Sequence, residues 1–370
     1  MTLRCCATYT NNSYFGQLDL LGRFNTGTIS HQLLVGFDVN RVVENFQGFS
    51  NTTDLPDLDI FDPDYDIPVI ELIADSRFRE TLQSYGVYIQ DQIVLSDSLK
   101  LLIGGRYDWI SYRNERFDFG LLGNTTEEPY QNNGAFSPRI GLVYQPSDTV
   151  SLYASYSRSF LQTTGFNPDG RRFEPTRGTQ YEIGIKTDFL DGALSTTLAA
   201  YHLTKTNITT SDPNNPLFSI QTGEQRSQGV ELNVTGEVLP GWNIIASYAY
   251  TDAEFTEDNI IPEGNRLANV PENQASLWTT YTIQEGDLRG LGFGLGLFYV
   301  GERQGDLANS FQLDNYLRTD AAVYYRRGHF RGAINIKNLF DIEYANSSFN
   351  RTFAERGEPF TVVGSISWEF

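Results

Sequence analysis

The chain has little cysteine, methionine or histidine, no surplus of positive charge and no long apolar run. Each shortage removes a class of protein. Its 370 residues include 2 cysteines, 1 methionine and 3 histidines. The cysteines, Cys5 and Cys6, are adjacent, which excludes a disulfide scaffold and reads as two incidental thiols. Lysine and arginine total 27 against 46 acidic residues, a formal charge of −19. A phosphate backbone needs a basic face, so nucleic-acid binding is excluded. No run of about 18 apolar residues occurs, so no helix can cross a bilayer. Met1-Thr2-Leu3-Arg4 is not followed by an apolar segment and a small-residue cleavage site. The chain is therefore cytoplasmic, exported by other means, or missing its true N-terminus. His31, His202 and His329 are scattered, no Ser/His/Asp ordering or phosphate-binding glycine loop is present, and neither an enzyme nor a cofactor is expected.

Aromatic residues and glycine are abundant: 25 Phe, 21 Tyr and 33 Gly. Mean hydropathy is −0.35, which fits a transmembrane β-barrel because lipid-facing and lumen-facing residues alternate and average out. The dominant period is two. Phe360, Val362, Gly364, Ile366, Trp368 and Phe370 fall on one face, while Thr361, Val363, Ser365, Ser367 and Glu369 fall on the other. Leu99, Leu101, Ile103, Gly105, Tyr107 and Trp109 oppose Lys100, Gly104, Arg106 and Asp108. Val230, Leu232 and Val234 oppose Glu231, Asn233 and Thr235. A charge on a lipid face costs roughly 2–4 kcal/mol at midplane. Lys100, Arg106, Glu231, Asn233 and Lys337 are therefore expected to face the lumen.

Strands are expected near 15–25, 29–46, 82–96, 98–115, 135–147, 149–161, 176–190, 193–210, 224–239, 242–257, 270–284, 289–304, 315–329, 330–344 and 357–370, with a weaker one over 3–11. Fifteen residues reach about 50 Å, so such strands rise beyond a bilayer core. The connections alternate. Tight turns are expected at 326–329, 284–287, 238–241, 190–192, 146–148 and 95–97, and long loops at 345–356, 305–314, 258–269, 211–223, 162–175, 116–134 and 47–81. One rim of tight turns and one of large loops is the pattern of an outer-membrane barrel. The fold expected is all-β, a transmembrane antiparallel barrel of about 16 long strands.

Several stretches resemble one family, the TonB-dependent siderophore receptors of bacterial outer membranes, nearest to the ferrichrome/hydroxamate type. Tyr85-Gly86-Val87-Tyr88-Ile89-Gln90-Asp91-Gln92 with Gly104-Gly105-Arg106-Tyr107-Asp108 resembles its "YxQDQ…GGRYD" hairpin. Ser137-Pro138-Arg139-Ile140-Gly141-Leu142-Val143-Tyr144 with Leu152-Tyr153-Ala154-Ser155-Tyr156-Ser157 resembles its "SPRxGLVY…LYASYS" hairpin. Gln180-Tyr181-Glu182 to Lys186, Arg226-Ser227-Gln228-Gly229-Val230-Glu231, and Asn335 to Asp341 with Tyr344 resemble "QYExGxK", "RSxGVE" and "NxxNLFDxxY". The likeness runs from about residue 30 to 370. It implies a receptor that captures ferric siderophore at extracellular loops for TonB-coupled uptake. It also implies outer-membrane lipid and lipopolysaccharide as surroundings, and a terminal Phe370 read by the barrel-assembly machinery. Family barrels have about 22 strands around a plug. The whole chain, 1–370, is therefore expected to be barrel, part of a larger one. With no plug in it, this chain would contact TonB only through the missing segment, and alone it would be transport-incompetent. A passive plugless porin and a soluble β-sandwich binding module are the rival readings.

By parity, Tyr112, Phe255 and Phe298 point inward in the upper parts of rising strands, and are expected to border the siderophore pocket. The alternating glycines of 290–296 are expected to let a strand curve or pack closely. In the acidic segment 54–66, Asp62-x-Asp64-x-Asp66 begins like a calcium loop, but Ile67 and Ile73 occupy the glycine and glutamate positions, so a solvated loop is expected.

Overall fold

The computed structural model describes residues 6–51, 72–118, 125–127, 130–215 and 218–369. The acidic segment 54–66 and Phe370 lie outside them. In chain order the strands are β1 Cys6–Thr26, β2 Ile29–Asn51, β3 Leu72–Ser96, β4 Leu99–Asp118, β5 Thr125–Glu127, β6 Gln131–Ser147, β7 Val150–Leu161, β8 Thr176–Phe189, β9 Leu194–Ser211 and β10 Ser219–Leu239. They continue as β11 Trp242–Glu257, β12 Asn273–Thr282, β13 Leu291–Val300, β14 Arg303–Gln304, β15 Gln312–Leu313, β16 Tyr316–Arg327, β17 Phe330–Lys337, β18 Ala345–Asn350, β19 Phe353–Arg356 and β20 Thr361–Trp368.

One antiparallel sheet of 16 strands contains all but β14, β15, β18 and β19, with β5 a spur on β4. Consecutive strands are neighbours throughout, so the sheet is a meander with no crossover. A sandwich needs a second large sheet packed on the first, and none is present among the described residues. Five of the six expected tight turns are found, with another between Thr26 and Ile29; the one expected at 284–287 is a longer connection, 283–290, between β12 and β13. They carry left-handed residues such as Asp191 (φ 56°), Gly241 (φ 80°) and Gly328 (φ 58°).

The register fixes the two faces, because paired residues share a side. Val87 pairs Tyr107 and Tyr85 pairs Trp109 on one face, while Tyr88 pairs Arg106 on the other. On the first face large apolar side chains are exposed rather than packed: Leu20 at 71%, Trp109 at 49%, Ile366 at 81%. Burying that face supplies no protein core, so its partner is lipid. The apolar band runs from Leu101 to Trp109 on β4, Trp242 to Tyr250 on β11, and Leu291 to Tyr299 on β13. About nine residues reach roughly 30 Å along a strand, or about 23 Å at a tilt near 40°, which matches a bilayer. Charge on this face is confined to the two ends of the band. His31 Nδ1 lies 2.7 Å from Asp91 at the tight-turn end, and Arg41, Arg79, Arg113 and Arg226 lie at the loop end.

The wall is uneven. The strands β1–β4 have 21, 23, 25 and 20 residues, whereas β17 and β20 have 8 each. The expected strands 3–11 and 15–25 are one strand, β1. Asn11-Asn12-Ser13 looks like a break, yet it lies beyond the apolar band, where both faces can be polar. The expected strand 330–344 stops at Lys337, because Asn338 turns left-handed (φ 49°). The expected loop 345–356 is itself a hairpin, β18–β19. Among the described residues β1 pairs only with β2, and β20 only with β17.

Candidate functional site

The polar face is the candidate site, and it carries two clusters. The first lies at mid-wall on β1–β4. Arg106 holds Asp38 through both terminal nitrogens, one contact being 2.9 Å, and its Nε donates to Asp108 Oδ1 at 2.8 Å. Asp108 is 4% exposed and Asp38 8%, so these carboxylates need a cation; the pairing meets that need. Arg106 also lies 5.4 Å from the ring centroid of Tyr88, whose hydroxyl donates to Asp19 and accepts from Gln17. Gly86 and Gly36 make this possible, since a Cβ on either would fall within 2.1 Å of Arg106 or Tyr88. Arg106, Asp38, Tyr88 and Gln17, with Arg139 and Ser157, line an open hollow of about 720 Å³. The expected inward orientation of Lys100 holds as well: its ammonium donates to Gln145 on the same face at 2.6 Å.

The second cluster lies at the loop end of β13 and β16. Phe298 pairs Arg318 across these strands, and the guanidinium carbon stands 4.7 Å from the ring centroid. Arg318 pairs with Asp320 at 3.1 Å and reaches the Tyr344 hydroxyl at 3.5 Å. Tyr344 lies against Tyr316 at 4.2 Å, and Arg303 lies 5.6 Å from the Tyr316 ring. Arg303 is 3% exposed and donates to the carbonyls of Ala345 (2.5 Å) and Asn346 (3.0 Å). Burial pulls its pKa below the ordinary arginine value. Asn338, 0% exposed, anchors the base: its N–H donates to Asp320 at 2.9 Å, and its amide bridges Ile342 and Glu358.

Three long connections lock together above this cluster. Asn269 and Ser348 exchange hydrogen bonds at 2.8 and 2.9 Å, Ser348 donates to Gly305, and Asn309 donates to Arg266. The β18–β19 tip nevertheless leaves Phe349 81% and Phe353 67% exposed.

The structure places the three sequence-selected aromatics as follows. Phe298 is under Arg318. Phe255 is 3% exposed beneath the connection 258–272; its N–H donates to Asn265 and its carbonyl accepts from Gly264. Tyr112 is on the polar face of β4, opposite Leu82, six strand steps from β11. Phe255 on β11 and Phe298 on β13 are two strand steps apart, with β12 between them, and Tyr112 is not brought to them within the sheet. The glycines of β13 pack closely: a Cβ at Gly296 or Gly294 would stand 2.7 or 2.9 Å from the Trp278 ring. Sequence reasoning missed Arg318, Arg303 and Phe349. Parity alone could have put Tyr316, Arg318 and Asp320 on the polar face.

Comparison with known proteins now defines the class. Residues 7–339 match the family described as TonB dependent receptor-like, beta-barrel, and the chain belongs to that family. Its members are outer-membrane transport receptors rather than enzymes, and the outer membrane is where this wall resides. The chain is 38% identical over 363 residues to the metal-pseudopaline receptor CntO of Pseudomonas aeruginosa PAO1, covering 96% of this chain and 51% of that protein. It is 36% identical over 362 residues to the ferrichrome outer membrane transporter/phage receptor of Escherichia coli K12, covering 95% and 47%. Among solved structures, the siderophore receptor PiuA from Acinetobacter baumannii superposes with a TM-score of 0.84 at 26% identity, covering 98% of this chain and 56% of PiuA. The chain thus spans about half the length of the relatives it matches.

Proposed function

We propose that this chain is the barrel portion of a TonB-dependent receptor that takes up ferric siderophores. The observation that carries the reading is the polar face: in a family of receptors, its loop end gathers aromatic rings and guanidinium groups beneath interlocked loops. A bulky chelate that brings its own iron requires a partly apolar, hydrogen-bonding surface rather than protein metal ligands. Tyr112 and Phe298 border the chelate, and Phe255 supports the loop above it. Coupling to TonB runs through a plug supplied by a further segment, against which the mid-wall cluster around Arg106 faces.

Deleting the gene should abolish uptake of radiolabelled ferric siderophore in iron-starved cells, with restoration on complementation; unchanged uptake overturns the reading. Uptake that persists without TonB, with a steady conductance in planar bilayers, favours a passive porin. Alanine at Tyr112, Phe255 and Phe298 together should weaken chelate binding by at least about tenfold, or about 1.4 kcal/mol. Unaltered affinity removes that assignment.

Two surroundings belong to the same proposal. On the outer wall just above the apolar band, Asn12, Tyr14, Arg41, Asn45 and Arg79 line a groove of about 470 Å³. Its cations and hydrogen-bond donors suit lipopolysaccharide phosphates. The alternating Ile366, Trp368 and Phe370 at the chain end provide the signal for the barrel-assembly machinery.

A further inference from the structure

Two features meet at the foot of β16 and β17, on the tight-turn rim that faces the periplasm in an outer-membrane barrel. The first is a cradle of about 510 Å³ between the connection 283–290 and the turn after β16, lined in part by Asp287, Arg289, Arg326 and Arg327. Arg326 is held by Glu369 at 3.2 Å. Asp287, Arg289 and Arg327 are exposed, and among the described residues none of the three belongs to an ion pair. Arg327 has one weak contact, with the Tyr325 hydroxyl at 3.5 Å. The rest of this rim differs: the four tight turns between β3 and β11 contribute Asp97, Asp148 and Asp191 and no cation.

The second feature is an apolar groove of about 560 Å³ on the lipid face just above the cradle. The register across β16, β17 and β20 sets its side chains in rows. Val323, Ile334 and Gly364 form one row, and Tyr325, Gly332 and Ile366 the next. The row below, on the same face, is Arg327, Phe330 and Trp368, so the groove runs down onto the cradle. Glycine makes the floor: a Cβ at Gly364 would meet nothing within 4 Å, while neighbouring Ile334 and Ile366 stand open to lipid. Trp368 and Leu288, both exposed, bracket the junction at the level where a bilayer has its headgroups.

We propose that cradle and groove together hold one phospholipid of the periplasmic leaflet, of the phosphatidylethanolamine class. Its phosphate lies on Arg289 and Arg327, its ammonium on Asp287, and one acyl chain along the groove between β16 and β20. Guanidinium groups hold phosphate through charge-assisted hydrogen bonds. An unpaired carboxylate in the same cradle repels a purely anionic headgroup and attracts an ammonium, so the charges present match a zwitterion. The chain covers apolar surface for which the wall itself has no partner. This site depends on outer-membrane placement alone and not on the uptake of siderophores.

The test uses the complete receptor, produced in outer membranes from its own gene, purified in mild detergent and stripped of lipid. It is incubated with micelles holding equal amounts of phosphatidylethanolamine and phosphatidylglycerol with identical acyl chains. Bound lipid is then counted by native mass spectrometry. Phosphatidylethanolamine should be retained at least about threefold over phosphatidylglycerol. Arg289→Gln and Arg327→Gln together should lower retention of both lipids about tenfold. Asp287→Asn should cancel the preference and still retain lipid. Gly364→Phe, which fills the groove, should lower retention about fivefold and keep the preference. Arg331→Gln, on the opposite face of β17, should change nothing. Heat-modifiable gel mobility reports folding, and the arms at exposed Asp287, Arg289 and Arg327 stand even if Gly364→Phe fails to fold. No retained lipid, a preference for phosphatidylglycerol, or a loss from Arg331→Gln equal to that of the double substitution overturns the proposal.

Discussion

At the scale of single residues, Asn338 does the most work for its size. Its left-handed φ of 49° ends β17, a conformation that asparagine tolerates and branched residues resist. Its side chain then satisfies Ile342 and Glu358, and its N–H holds Asp320, which in turn pairs with Arg318. Asn338→Ala should cost about 2–4 kcal/mol, from lost hydrogen bonds at a fully buried position and the strained backbone. Urea unfolding in micelles measures this, and a cost below about 0.5 kcal/mol contradicts the role. The consequence for the site is that a residue with no view of the lumen sets the aim of one that has it. Such dependence is invisible to parity. Phe298 could be placed on the inner face by counting in twos, but the guanidinium on its ring comes from a cross-strand pair whose register only the fold supplies.

At the scale of elements, the alternating faces were readable in the residues because lipid imposes a harsh sorting rule along the strands. Leu295 lies at the middle of the β13 band and is 42% exposed on the lipid side. Leu295→Arg should destabilise the barrel in bilayers by about 2–4 kcal/mol, whereas Asn233→Arg on the polar face should cost less than about 1 kcal/mol. Equal costs would mean that the faces are wrongly assigned. Strand ends were less readable, since beyond the band that sorting rule lapses: Asn11-Asn12-Ser13 stays inside β1, while Leu339 and Phe340 follow β17 without extending it. There the connections are held by short polar links instead. Asp306 accepts from the Ser310 hydroxyl and amide, which lower its carboxyl pKa. A depressed folded pKa means that this link is complete above the ordinary aspartate value of about 3.9 and lost as pH falls through the lower folded value. The Ser310 amide resonance should therefore be constant down to about pH 5 and titrate only below about pH 4. A midpoint at or above the ordinary aspartate value would refute the link.

At the scale of the whole molecule, the sheet makes a wall whose two edges do not meet among the described residues. β1 offers 21 residues of backbone on its free side and β20 offers 8, so a direct β1–β20 seam would leave most of β1 unpaired. In hydrocarbon each unpaired N–H or C=O costs several kcal/mol, and an exposed edge is a template for another strand. The 370-residue chain refolded by itself in micelles should therefore associate through β1, giving dimers or larger species by light scattering. Proline at Phe15, Gln17 and Asp19, alternate positions whose N–H groups point to the unpaired edge of that strand, should shift the population toward monomer. The same edge predicts the hydrogen-exchange pattern. Amides of β2 and β3, paired on both sides, should be protected for hours, while those on the outer side of β1 exchange within minutes in the monomer and slow on association. A monodisperse monomer with every β1 amide protected would show that the chain closes on itself. The short β20 would then have to find its partner in the lower part of β1, near Phe24, where the apolar band ends.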